Sequence, residues 1–81
     1  MKLHAHAVAR MIERGASEDE VTATVSEGEQ FAAKFGRQGF RRNFAYGGLW
    51  QGRRYHMKQV EAFAIWEDGD WLVISVIVKY F

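Results

Sequence analysis

The apolar pattern of this chain changes period once, near residue 29, and that change limits the fold more than any other feature. Before it, apolar residues recur at helical spacing. On a wheel of about 100° per residue, Ala5, Ala7, Val8, Met11 and Ile12 fall on one arc, and His6, Arg10, Glu13 and Arg14 on the other. His4 falls in the apolar arc, which predicts a packing role. Arg14 suits the negative end of the helix dipole, and Gly15 can close the helix in a left-handed conformation. "SEDE" at 17–20 is a capping box and predicts a second helix from about residue 18 to "EG" at 27–28.

After the change the pattern alternates. Phe31, Ala33 and Phe35 alternate with Gln30, Ala32 and Lys34 and predict a first strand. Gly36 and Gly39 bracket a turn, and Phe40, Arg42, Phe44 and Tyr46 mark a second strand. "GGLWQG" at 47–52 reads as a loop with a Trp at its tip. Residues 53–66 read as a third strand whose apolar face shifts, the mark of a bulge. "EDGD" at 67–70 is a turn, and "WLVISVIVKYF" is apolar enough to predict a central strand covered on both faces. The expected fold is α+β: two N-terminal helices on one face of a twisted, mainly antiparallel sheet of about four strands.

With 81 residues there is room for one domain, spanning 1–81, and the 48% hydrophobic content is that of a packed chain rather than a disordered one. No cysteine is present, which fits a reducing compartment. The N-terminus has no apolar signal region, and the apolar run at 71–78 is far shorter than the roughly 18 residues of a membrane span. The expectation is a cytoplasmic protein with no membrane association.

The formal net charge is only +1, but the charge is segregated. No Asp or Glu occurs from residue 30 to residue 60, where Lys34, Arg37, Arg41, Arg42, Arg53, Arg54 and Lys58 supply seven of the 11 basic residues. A basic window of this kind fits a polyanion or an acidic protein partner. Alternation places Arg41 and Arg42 on opposite faces, and Arg54, His56 and Lys58 on one face. Arg41, Arg42, Arg53, Arg54, His56 and Lys58, interleaved with Tyr46, Trp50 and Tyr55, are the candidate RNA-binding set.

His6, Arg10 and Arg14 recur at i, i+4 and i+8, so they share a stripe of the first helix. RNA cleavage by a neighbouring 2′-hydroxyl needs a base, an acid and cations for the charge growing on phosphorus. An imidazole beside two guanidiniums is of that type, with Arg54 and Tyr80 as further catalytic candidates. The same stripe serves equally as a solvated face or as a brace against the sheet. His4 and His6 lie about 200° apart on a helix, whereas a chelating pair wants i, i+4, so neither a metal nor another cofactor is expected.

"HAVARMIERG", the capping-box helix and "GFRRNF…RRY…KQVEAFAIWEDGDWLVISVIVKYF" together resemble a bacterial domain family of unknown function. The resemblance covers essentially the whole chain. The family's helix motif falls on His6, Ala7, Arg10, Met11, Glu13, Arg14 and Gly15, and its small hydroxyl residue in the last strand, often Thr, is Ser75 here. The resemblance implies a fold of the RelE- and barnase-like ribonuclease toxins, and with it an RNA-directed domain whose catalytic form is a metal-independent endoribonuclease. The alternative is a non-catalytic module that binds an acidic protein partner, such as an antitoxin, or dimerises through its basic sheet face.

Overall fold

A computed structural model describes all 81 residues and shows two helices against one five-stranded mixed sheet. The elements run β1 (Lys2–Leu3), α1 (Ala5–Arg14), α2 (Glu18–Glu27), β2 (Glu29–Ala32), β3 (Gln38–Trp50), β4 (Arg53–Glu67) and β5 (Asp70–Tyr80). Their order across the sheet is β1-β5-β4-β3-β2. Only the β1–β5 pair is parallel. No helix is long and apolar enough to cross a membrane.

Both helices begin and end as their sequences require. His4 caps α1, its Nδ1 accepting from the His6 amide at 3.0 Å, so it is exposed and not a packing residue. Gly15 closes α1 with φ +80°, and its amide donates to the Met11 carbonyl. A side chain at Gly15 would collide with Trp50 and Tyr80, because a Cβ there would sit 2.5 Å from the Tyr80 hydroxyl. The capping box of α2 is complete: the Glu20 amide donates to Ser17 Oγ, and the Ser17 amide donates to Glu20 Oε1.

The core lies between the helices and one sheet face. Ala7 and Met11 of α1 and Val21 and Thr24 of α2 pack over Phe40 of β3, Val60, Ala62 and Ala64 of β4, and Val73 and Val76 of β5. Alanines at 62 and 64 keep the middle strand low, which lets the helices approach the sheet. The buried stripe of α1 is therefore narrower than its apolar arc. Val8 is partly exposed and Ile12 is 78% exposed, while Arg14 on the polar arc turns inward.

Two irregularities set which side chains share a face. In β5, Ser75 pairs with Phe63 but Val73 pairs with Ala64, so Ile74 is an extra residue. That bulge lets Val73 and Val76, three apart, both face the helices. Near the other end of β4, Tyr46 and Gly47 of β3 oppose the single residue His56, and the amides of His56 and Met57 both donate to the Phe81 carbonyl.

Four expectations about the strands need correction. The sheet has five strands, because Lys2 and Leu3 pair with Leu72 and Val73. The first predicted strand stops at Ala32, since Phe35 and Gly36 adopt φ +61° and +69° and turn the chain. "GGLWQG" is mostly strand: β3 continues to Trp50, leaving a tight turn at Gln51 and Gly52. The central strand is β4 rather than β5. Past Val73, β5 has a single paired neighbour, and its Leu72 and Ile77 remain partly exposed on the helix-free side.

Candidate nucleic-acid interface

The helix-covered face ends in a cluster built on Lys58. Its ammonium donates to the Gly15 carbonyl at 2.6 Å and lies 2.8 Å from Glu20 Oε1, with only 7% of the side chain exposed. Tyr46 and Tyr80 flank it, with ring centroids 5.5 and 6.0 Å from Nζ. Trp50 stacks on Tyr80 at 4.8 Å, and Tyr55 lies 5.6 Å from the same ring. The Tyr80 hydroxyl donates to the Arg14 carbonyl, and Arg14 Nη1 donates to the Val76 carbonyl. These bonds tie the end of α1 and the helix–helix turn to β4 and β5.

Burial works to raise the Glu20 carboxyl, but the Lys58 ammonium and the Ser17 amide and hydroxyl overcome it and hold the group below its usual value. Burial first, then Tyr46 and Glu20 nearby, raises the Tyr80 phenol. Both shifts favour the protonation states that the cluster uses at neutral pH.

The candidate catalytic stripe is divided by this packing. His6 is exposed, Arg10 pairs with Glu13 one turn along α1, and Arg14 is drawn to the sheet. Tyr80 meets Arg14 through the backbone carbonyl. Arg54 lies apart from them on the opposite side of the sheet. The alternation along β4 accounts for that separation. Tyr55 turns toward Tyr80 on the helix side, so Arg54 points the other way, and the bulge at His56 and Met57 restores Lys58 to the helix side. The expected common face of Arg54, His56 and Lys58 is thereby broken.

The helix-free face follows from the register. Arg41 pairs with Glu61 and Glu61 with Ile77, Asn43 with Gln59 and Gln59 with Lys79, and Gly39 with Phe63 and Phe63 with Ser75. Arg42 lies on the other face, as expected, and pairs with Glu27 at the end of α2. At the centre of the helix-free face, charge is matched: Arg41 binds Glu29, and Lys79 binds Glu61, whose side chain is 8% exposed. Gln59 donates to Asn43 across the strands.

Beyond that matched centre, cations have no acidic partner. Arg54 and His56 are exposed toward the β3–β4 turn. Arg53 pairs with Trp50 and lies on the helix side, 5.7 Å over the Tyr55 ring. Lys34 and Arg37 occupy the β2–β3 turn at the other end, beside Phe31, Phe35 and Phe63. From residue 54 to residue 63 the strand spans roughly 30 Å.

Comparison of the chain with protein-family models, with curated proteins and with solved structures found no match. The site is accordingly built from its own residues. Several of them were not singled out from the sequence: Glu61, Lys79, Asn43, Gln59, Phe31 and Phe63. Their signal was the odd-numbered alternation Gln59, Glu61, Phe63, which becomes a site only when the cross-strand partner Arg41 is known.

Proposed function

We propose that this chain is an RNA-directed domain of the RelE- and barnase-like type, which contacts RNA through the helix-free face of its sheet. One observation carries the reading: that face is a charge-matched strip with unpaired cations at both ends and accessible aromatic rings at its β2–β3 end. Cations without internal partners are free to bind phosphates, and rings beside them can stack bases. For cleavage, the groups on this face able to accept a 2′-hydroxyl proton are the exposed His56 imidazole and the carboxylates of Glu29 and Glu61, with Arg41 and Lys79 as the cations nearest to Glu61.

The measurement is single-stranded RNA binding as a function of salt, with cleavage followed in EDTA. Arg54, Lys34 and Arg37 correspond to a slope of log K on log salt of about −2, at roughly −0.7 per phosphate neutralised. Arg54→Ala should reduce the slope by about 0.7 and leave thermal stability unchanged. Absence of binding at low salt, or binding indifferent to salt, would overturn the proposal. Capture of an acidic protein by the same cations, with RNA ignored, would replace it by the interaction-module alternative.

A further inference from the structure

The β2–β3 end of the helix-free face holds a pocket of about 400 Å³, within the range of small-molecule sites. Its apolar walls are Phe31, Phe35, Phe63 and Ile77, and Lys34 and Arg37 stand beside them. Phe31 and Phe63 meet edge to face at 5.8 Å and 87°, which makes a firm wall. Ser75 adds a hydroxyl.

Phe35 is the unusual member. Its φ of +61° is a left-handed backbone that Gly, Asn or Asp adopts at far less cost, and its side chain is exposed, with 86% of the residue in solvent. Packing does not account for an aromatic residue held there. The Arg37 guanidinium lies over the Phe35 ring, 6.0 Å from its centroid. Neither Lys34 nor Arg37 has an ion-pair partner, and the sequence supplies no acid between residues 30 and 60.

We propose that this pocket is a subsite for one unstacked nucleobase of single-stranded RNA, with Lys34 and Arg37 holding the adjoining phosphates. The inference rests on the RNA reading above and deepens it. Charge complementarity identifies an anionic ligand, and the concentration of aromatic rings identifies a base rather than an aliphatic side chain. A base within a duplex is already stacked and cannot enter, so the site selects single strands.

Fluorescence anisotropy at low salt would compare a short single-stranded RNA, the same backbone with abasic positions, and an acidic phenylalanine-containing peptide. The base-bearing RNA should bind about tenfold more tightly than the abasic backbone. Phe35→Asn should abolish that difference while the melting temperature stays level or rises, because Asn suits the left-handed backbone. Equal affinity for base-bearing and abasic RNA, unaffected by Phe35→Asn, would overturn the subsite and leave the RNA-binding face standing. Binding of neither oligonucleotide would overturn both. Peptide binding that is lost in Phe35→Asn, with RNA binding unchanged, would make the pocket a peptide site and overturn the nucleobase proposal.

Discussion

The two faces of the sheet draw basic residues from the same acid-free window and use them in opposite ways. Under the helices, Lys58 is withdrawn from water and held by Glu20 and the Gly15 carbonyl. On the helix-free side, Arg54, Lys34 and Arg37 remain solvated and have no acidic partner. The difference is one of desolvation. A cation taken under the helices must be paired and hydrogen-bonded to be tolerated, whereas one left in water can wait for an external phosphate. Residue type therefore says little about the task of a cation here; its burial and the acid within its reach decide it.

The strongest test of this contrast is Lys58→Ala. It leaves Glu20 without its ammonium and removes the donor to Gly15, and breaking a buried pair in this way costs about 3 kcal/mol. Chemical denaturation should show the loss, and Lys58→Met, which keeps the packing of the stem, should lose less. RNA affinity of the folded fraction should remain within about twofold, since Lys58 makes no phosphate contact in the proposed complex. Intact stability with lost RNA binding would transfer Lys58 to the interface and break the contrast.

How far such assignments were legible in the sequence can be judged residue by residue. The helices were readable because their signals are local: the capping box of Ser17 and Glu20, and Gly15 at the end of α1. The α+β class followed from the change of period. Pairing was not readable. β1 is two residues long and exists only through Leu72 and Val73, and nothing local marks it. The bulges at Ile74 and at His56 shift parity, so alternation misplaced Lys58 beside Arg54 and hid the facing of Arg41 and Glu61. Ile12 shows the same limit on a helix, because hydrophobicity marks a broad arc but the sheet covers only the Ala7 and Met11 side. The fold was thus accessible at the level of elements, and the candidate site only in the identity of its cations.

Acid titration separates the faces by a second route. Glu20 under the helices is held below its usual 4.5: burial raises it, but Lys58 and Ser17 outweigh burial. Glu29 on the helix-free face is also lowered, by hydrogen bonding from Arg41 and then by its charge. A carboxyl lowered by folding contributes stability above its unfolded value of about 4.5, and that contribution disappears as pH falls through the lower folded value. Both groups therefore produce a loss of stability on the acid side of 4.5. Salt should weaken the Glu29 part, which is exposed, and spare most of the Glu20 part. Glu20→Gln should flatten the acid limb at high salt more than Glu29→Gln does. Equal effects would mean that the two pairs are equally screened and that the helices do not shield the Lys58 cluster.

The smallest expected effect concerns Tyr80, a candidate for both catalysis and bracing. Its hydroxyl donates to the Arg14 carbonyl at 2.8 Å, so Tyr80→Phe removes one neutral hydrogen bond and should cost about 1 kcal/mol. The alkaline side carries the same information with a definite sign. Folding raises the phenol above 10.0, through burial first and then through Tyr46 and Glu20. Its contribution is complete below the unfolded value and is lost as pH rises from there through the folded one. Tyr80→Phe should flatten that alkaline decline while RNA binding and any cleavage in EDTA persist. A bracing tyrosine can be replaced by phenylalanine at this modest cost, but a proton donor cannot. Loss of cleavage with stability almost unchanged would place the reaction beneath the helices, at the tyrosine cluster, and reverse the roles of the two faces.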